Sequence, residues 1–345
     1  MSEVTLTIDG QSVTTEEGKT ILEAANKAGI RIPRLCWDPD LVPYGGCRLC
    51  IVQVEGLRGL PPSCTTMVDD GMKVVTENDE ILEARRMVLR LFMADHPSDC
   101  LSCRANLDCE LQQLTRELGV LEHGLPPTGR EGTKDHSNPV FFRDMSKCVL
   151  CARCVKTCHE ILGLGAIDLI DRGYRAEPAP FMAKDIRSSS CESCGECVVH
   201  CPTGALSFPE PPPPIEDEVA TVCPFCGTGC GILLGTRKGK VVSARGEREN
   251  PVNKGVLCVK GRFGSFEYVN HPDRLTAPLV RKDGELVKAT WDEALDLVAK
   301  KFKATKPEAF GAFSSAKVAN EDNYLMQKFT RAVMKTNSID HCARL

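Results

Sequence analysis

The sequence predicts a multidomain chain, α+β over most of its length and α/β at its carboxyl end. Three observations predict it: a hairpin-and-helix signal at the amino terminus, a duplicated cysteine run in the middle, and a β-α-β-α succession beyond a proline-rich break.

Residues 3 to 14, EVTLTIDGQSVT, alternate β-formers on either side of Asp9-Gly10, a strong two-residue turn signal. A helix follows. Thr20-Ile21-Leu22-Glu23 is a capping box, Ile21, Leu22, Ala24, Ala25 and Ala28 form one apolar face, and Gly29 stops it. Hairpin, helix, then a cysteine loop is the layout of a β-grasp ferredoxin. A second amphipathic helix is expected from Asn78 to about Asp95, delivering His96 to the next cysteine group. Residues 122–139, rich in Gly, Pro and charge, read as a connector. Phe208 to Glu218, FPEPPPPIEDE, reads as a semi-rigid extended linker.

Beyond the linker, strand signals at Ile232 to Thr236 and Lys240 to Ala244 flank Lys238-Gly239, and Asp283-Gly284 suggests another hairpin. Thr290-Trp291-Asp292-Glu293 opens a helix with a capping box, Ala309 to Ser314 reads as a strand, and Asn320 is expected to cap a helix reaching about Lys335. The expected divisions are 1–78, 79–121, the connector 122–139, 140–208, the linker 209–218, 219–275 and 276–345.

Composition narrows the chemistry. Twenty cysteines are either a disulfide scaffold or metal ligands, and scaffolds are short and loop-rich, whereas these 345 residues have an ordinary apolar fraction of 42%. Ligands fit better. The opening MSEVTLTIDG carries neither the charged nor the apolar region of a signal peptide, nor a twin arginine, so a cytoplasmic location is expected. No apolar run approaches the ~18 residues needed to span a bilayer, so membrane contact would come through a partner. A net charge of −4 points away from nucleic acid.

Nineteen of the twenty cysteines and one histidine sort into five sets of four. Cys148, Cys151, Cys154 and Cys158 repeat the spacing of Cys191, Cys194, Cys197 and Cys201, the bacterial two-cluster ferredoxin run. In that pattern the fourth cysteine crosses over. One 4Fe-4S cluster would take Cys148, Cys151, Cys154 and Cys201, the other Cys191, Cys194, Cys197 and Cys158, because a tight loop wraps three corners of a cube and no more. The first run ends in Cys158-His159, where the pattern has proline. Two zinc sites compete less well, since zinc ligands come as separated pairs.

Cys36, Cys47, Cys50 and Cys64 follow the β-grasp signal and suit a 2Fe-2S cluster, with a longer first gap than the plant-type spacing. Pro39, Pro43, Gly45 and Gly46 let that gap fold around a cluster. His96, Cys100, Cys103 and Cys109 make a set in which imidazole supplies the fourth ligand of a 4Fe-4S cube. Cys223, Cys226, Cys230 and Cys258 fit a further 4Fe-4S cluster in a small sheet subdomain. Cys342 is left over and reads as a buried small residue.

The order of the sets resembles the amino-terminal portion of cytoplasmic NAD-linked or bifurcating formate dehydrogenase catalytic subunits. It is also similar to the front end of iron-only hydrogenases, and its opening domains to the large iron-sulfur subunit of respiratory complex I. From Cys223, the stretches CPFCGTGC, GVLCVKGRFG (Gly255 to Gly264), HPDRLTAPL (His271 to Leu279) and WDEAL (Trp291 to Leu295) are similar to the molybdopterin oxidoreductase family, and the formate dehydrogenase branch matches over essentially the whole chain. The resemblance implies a β-grasp 2Fe-2S ferredoxin domain, a 4Fe-4S domain with one histidine and three cysteine ligands, a two-cluster ferredoxin domain and a truncated molybdopterin oxidoreductase domain. A complex I subunit is disfavoured because the paired run is not taken to be that subunit's arrangement, and an iron-only hydrogenase because the residues around and after Cys230 follow the molybdopterin pattern.

The same resemblance implies that Cys223, Cys226, Cys230 and Cys258 hold the cluster nearest the pterin and that Lys260 lies between the two as electron relay and cofactor contact. Asn337 to Leu345 resembles the family stretch before a metal-ligating selenocysteine or cysteine, itself followed by a catalytic histidine. Selenocysteine, encoded by UGA, is therefore expected at position 346; a deliberate domain truncation is the competing explanation. No catalytic residue is expected within the chain, and formate turnover by these residues alone is not expected. The longer protein would interconvert formate and carbon dioxide at a molybdenum or tungsten bis-molybdopterin guanine dinucleotide. Electrons would pass through one 2Fe-2S and four 4Fe-4S clusters to a flavoprotein NADH-dehydrogenase-like subunit and a small iron-sulfur subunit, with NAD or ferredoxin beyond, or to a hydrogenase module. A non-catalytic electron-transfer subunit of a hydrogenase or NADH dehydrogenase-like complex is the second reading.

Overall fold

The computed structural model describes residues 2–127, 131–210 and 213–343, and the chain divides into two compact units, Met1–Pro211 and Pro212–Leu345. Parts of three expected features, residues 128–130 of the connector, 211–212 of the linker and 344–345 of the terminal motif, lie outside the described residues.

In the first unit, β1 (Glu3–Ile8) and β2 (Gln11–Glu16) form the expected hairpin, with Leu6 opposite Val13. Asp9 and Gly10 both take positive φ, as the two-residue turn requires. Helix α1 (Ile21–Lys27) starts at a complete capping box: Thr20 Oγ1 accepts from the Glu23 N–H, and the Glu23 carboxylate accepts from the Thr20 N–H. Strands β3 (Gln53–Val54) and β4 (Lys73–Val75) complete a sheet of order β2-β1-β4-β3, in which β1 and β4 run parallel. The inward faces of β1 and β2 and the apolar stripe of α1 share one core with Cys50 and Cys64.

Helix α2 (Asp79–Ala94) is capped by the Asn78 side chain, and α3 (Glu110–Glu117) begins directly after Cys109. The expected connector is partly structured: β5 (Lys134–Asp135) pairs with β6 (Phe142–Asp144). Asp135 anchors it, accepting from the Ile186 N–H at 2.7 Å and from Arg143 Nη1 at 3.1 Å. Two short helices, α4 (Arg153–Lys156) and α5 (Glu196–Val199), follow the two cysteine turns. The hairpin β7 (Asp168–Ile170) and β8 (Glu177–Ala179) lies between them in sequence, and β9 (Leu206–Ser207) pairs with β6.

In the second unit, β10 (Asp217–Val222), β11 (Gly231–Arg237) and β12 (Lys240–Gly246) form an antiparallel sheet. Asp217 and Glu218, expected in the linker, therefore belong to a strand. Their backbone pairing with Thr236 and Gly235 of β11 turns the end of the extended linker into a strand. The short α6 (Ser265–Asn270) is followed by the Asp283-Gly284 hairpin of β13 (Leu279–Lys282) and β14 (Glu285–Lys288). Helix α7 (Trp291–Ala304) uses half of its expected box: Thr290 accepts from the Glu293 N–H, while the Glu293 carboxylate pairs with Lys282 at 2.6 Å.

Strands β15 (Ala312–Ser314) and β16 (Ile339–His341) run parallel on either side of α8 (Asn320–Ala332), a βαβ unit. Asn320 is the first residue of α8 and Ala319 stands at its cap, a correction to the expected Asn320 cap. The Asn320 Oδ1 faces Gly227, 3.2 Å from where a Cβ there would lie. Cys342 is exposed at the end of β16, with Sγ 3.7 Å from Ser315 Oγ, and its thiol is lowered chiefly by the Ala316 backbone; it is not the buried residue expected. Among the described residues, no helix is long and apolar enough to cross a membrane.

Candidate metal centres

Backbone and side-chain support differs from one ligand set to the next. Cys36, Cys47, Cys50 and Cys64 are all buried. The Cys47 N–H donates to Cys36 Sγ at 3.4 Å. The thiols pair off: hydrogen bonding between partners pushes Cys36 and Cys64 up and draws Cys47 and Cys50 down. Arg85 of α2, 1% exposed, reaches under this loop, its Nε donating to Leu49 O at 2.9 Å and Nη2 to Ile51 O at 2.8 Å. Both carbonyls flank Cys50.

Cys100 is exposed, Cys103 half-buried and Cys109 buried; burial and then the neighbouring Cys103 and Cys100 push the Cys109 thiol up. Cys103 Sγ lies against Gly204, 2.6 Å from where a Cβ there would stand. His96 has left α2, and its Nδ1 lies 3.0 Å from Pro97 O. That bond assigns the proton to Nδ1 and leaves the lone pair on Nε2, the arrangement of a ligating histidine. Burial lowers the imidazole pKa and so favours the neutral ring.

The paired runs repeat one backbone turn. Leu150 and Ala152 have positive φ, as do Ser193 and Gly195 at the equivalent places, and the Leu150 and Ser193 N–H groups each donate at 3.4 Å to the first cysteine of their run, Cys148 and Cys191. One cavity is lined by Cys148, Cys151, Cys154 and Cys201, and a second by Cys158, Cys191, Cys194 and Cys197. Each cavity thus gathers three cysteines of one run and one of the other. Burial holds the Cys151, Cys154, Cys197 and Cys201 thiols above their usual range. Four thiolates in such a place need cations to offset their desolvation.

These three groups adjoin. Tyr44, between Cys36 and Cys47 in sequence, donates its hydroxyl to Leu150 O at 3.1 Å. Asp38 meets His200 at 3.1 Å, joining the loop after Cys36 to the residue before Cys201. The Glu110 N–H donates to Pro202 O at 2.9 Å.

In the second unit, Cys223 is buried, Cys226 and Cys230 half-buried and Cys258 exposed, and the four lie close enough for their charges to interact. Asn253 clamps the fold around them: its Oδ1 accepts from the Gly231 N–H at 2.7 Å and its Nδ2 donates to Gly231 O and Val256 O. Cys230 and Cys258 are drawn together by that clamp. Lys260, exposed, is near enough to help draw the Cys226 thiol down, although hydrogen bonding from Thr228 is the larger cause.

Among the described residues, four buried side-chain polar atoms stand out: Ser63 Oγ has no partner besides the Cys50 thiol, and His96 Nε2, Arg153 Nε and Thr157 Oγ1 find none. All four lie in or beside the ligand sets, next to Cys64, within the histidine set, between Cys151 and Cys154, and next to Cys158. Native interiors rarely leave such atoms unpaired. Sulfide as acceptor for the donors and iron for the imidazole lone pair would account for them together, so the residues present fit iron-sulfur clusters.

Sequence reasoning did not find Arg85, Arg153, Asn253 or Gly204. Arg85 did leave a signal, since it occupies the position between Ile81 and Leu89 on the buried stripe of α2.

Two cysteine sets sharing cavities, beside buried polar atoms without protein partners, are the arrangement of an iron-sulfur protein. Family models match along the whole chain: the 2Fe-2S iron-sulfur cluster binding domain at residues 1–79, the NADH-ubiquinone oxidoreductase-G iron-sulfur binding region at 85–123, and the ferredoxin-like domain of NADH-quinone oxidoreductase subunit 3 at 138–207. The molybdopterin oxidoreductase Fe4S4 domain matches 216–271 and the molybdopterin oxidoreductase model 274–345. The chain belongs to the molybdopterin oxidoreductase family, with iron-sulfur domains like those of the G-type subunits of NADH-quinone oxidoreductase.

It is 38% identical over 99% of its length to the second G-type NADH-quinone oxidoreductase subunit of Rhizobium meliloti, and 39% identical over 99% to the NADPH-Fe(3+) oxidoreductase subunit alpha of Geobacter sulfurreducens. A Staphylococcus aureus protein provisionally assigned as a formate dehydrogenase is 31% identical over 98% of the chain. The chain spans about 40% of the length of these relatives. Among solved structures, a chain of an NAD+-reducing [NiFe]-hydrogenase superposes with a TM-score of 0.57 at 30% identity, over 60% of this chain and 87% of that one. The expectation that the paired cysteine run separates this chain from complex I subunits is overturned, because an NADH-quinone oxidoreductase model matches that very run.

Proposed function

We propose that the chain is the electron-conducting portion of a molybdopterin-family oxidoreductase, exchanging electrons with a pyridine-nucleotide flavoprotein subunit. The observation that carries this reading is the meeting of three ligand groups inside the first unit, with Tyr44, Asp38 and Glu110 each bonding from one group to another. Cys36, Cys47, Cys50 and Cys64 would hold a 2Fe-2S cluster. His96 with Cys100, Cys103 and Cys109 would hold a 4Fe-4S cluster, the two crossed sets of the paired run two more, and Cys223, Cys226, Cys230 and Cys258 the last. Bound clusters supply one-electron redox chemistry. The protein's residues supply thiolates, exclude water by burying most of those in the first unit, and fix spacing through the bonds between groups.

Lys260, beside Cys226, would lie toward the pterin cofactor. For the longer protein, formate oxidation at a molybdenum or tungsten pterin is the finer reading, favoured by the Staphylococcus aureus relative. An NADH dehydrogenase-like role without formate chemistry is the second, favoured by the Rhizobium meliloti relative. Iron and acid-labile sulfide analysis of anaerobically purified chain tests the wire: about eighteen irons per chain are expected from these clusters, and zinc with little iron overturns it. Formate-dependent against NADH-dependent bleaching of the clusters in the full-length protein separates the two readings.

A further inference from the structure

In the first unit, Arg153 belongs to one of the three converging ligand groups and bonds to residues adjoining the other two. Arg153 lies between Cys151 and Cys154 at the start of α4 and is 5% exposed. Its Nη1 donates to Glu110 Oε1 at 2.5 Å and its Nη2 to Glu110 Oε2 at 2.9 Å, and Nη2 also donates to Trp37 O at 2.7 Å. Glu110 directly follows Cys109, and Trp37 directly follows Cys36. The guanidinium therefore spans residues adjoining the 2Fe-2S set, the histidine set and the cluster of its own run. Its Nε is buried with no partner in the protein.

We propose that Arg153 is a positioning and tuning residue, which raises the midpoint potential of the cluster at Cys148, Cys151, Cys154 and Cys201 and holds that cluster against its two neighbours. This rests on the iron-sulfur reading above. Reduction adds negative charge to a cluster, and a guanidinium shielded from water stabilises that charge more than solvent could. The free Nε–H offers a hydrogen bond to cluster sulfur, which acts in the same direction. Glu110 acts against it, since its carboxylate neutralises part of the guanidinium field. The bidentate fork and the bond to Trp37 O fix where the three groups stand, which no lysine could reproduce.

The test uses the full chain, reconstituted anaerobically with ferrous iron and sulfide, with each cluster's midpoint followed by EPR during a redox titration. In Arg153→Gln, one 4Fe-4S midpoint should fall more than the other four; in Arg153→Lys, which keeps the charge but loses the fork and the Nε–H bond, the same midpoint should fall by less. Glu110→Gln, at a half-exposed position, should move the same midpoint upward. A merely structural role would not produce opposite shifts from the two partners of one ion pair. If Arg153→Gln loads its iron fully and no midpoint shifts selectively, or if Glu110→Gln lowers the midpoint, the proposal is overturned. Should Arg153→Gln fail to load, the sign of the Glu110→Gln shift decides alone. A chain that takes up no iron at all would sink the wire itself, a failure distinct from unmoved potentials in a fully loaded chain.

Discussion

At the scale of single residues, the metal centres depend on side chains that ligate nothing. Arg85 satisfies the two carbonyls flanking Cys50 from within the core. Arg85→Met preserves much of the volume but leaves both carbonyls unpaired, at roughly 1–3 kcal/mol each. Selective loss of the 2Fe-2S EPR signal with a lowered melting temperature is expected; an unchanged signal and melting point would refute this account of Arg85. Asn253 plays the matching part in the second unit, where it makes three hydrogen bonds around Gly231 and Val256. Asn253→Ala should release Cys230 from Cys258 and remove about four irons, measured by iron analysis, with the other clusters retained. Neither residue is marked by motif spacing, because each acts through backbone atoms brought near only by folding.

At the scale of elements, β5 and β6 brace the paired cysteine run through a buried ion pair. Arg143 and Asp135 are 4% and 10% exposed in their side chains, and Arg143 also donates to Pro178 O. Burial alone would raise the Asp135 pKa. Hydrogen bonds from Ser137 and Ile186, together with Arg143, outweigh it and lower the value. The sign follows: a carboxylate depressed in the folded state contributes stability that is present above its unfolded pKa of about 3.9 and lost as pH falls through the lower folded value. Asp135→Asn should destabilise the unit by roughly 3–5 kcal/mol at neutral pH, since it strands a buried arginine. The substitution should also flatten the acid limb of the stability curve. Denaturant melts at neutral and acid pH check both, and parallel losses at the two pH values would contradict the linkage.

The elements were unevenly legible. The first hairpin, α1 and α2 could be read because turn residues, capping boxes and apolar stripes are local signals. Strand β5 and the start of β10 could not, since short strands among charged and proline-rich residues exist only through their partners, β6 and β11. The same reason moved the cap of α8: Asn320 had a cap's identity, but its side chain faces Gly227.

For the molecule as a whole, burial of the thiols makes cluster assembly a folding event. Cys151, Cys154, Cys197 and Cys201 are held above the ordinary thiol range by desolvation, so they are protonated when metal-free at neutral pH. Ligation must displace those protons. Iron incorporation should therefore rise with pH and release protons, and removing the iron with a chelator should loosen the first unit into a less cooperative state. Reconstitution yield followed by absorbance across pH 6 to 9 (about three units around the ordinary thiol pKa) tests this; a yield that does not rise with pH would exclude it.

The sequence by itself determined the inventory: the cysteine runs, their order and, at the level of the molybdopterin oxidoreductase family, what the chain resembles. It could do this because cluster loops are short, and spacing within a loop is a local property. Only the tertiary structure decided that Arg153 and Glu110 lock three groups together and that the expected connector and linker contribute strands. Those are contacts between residues tens of positions apart, and chain folding, not local spacing, supplies the burial and the hydrogen bonds that define them.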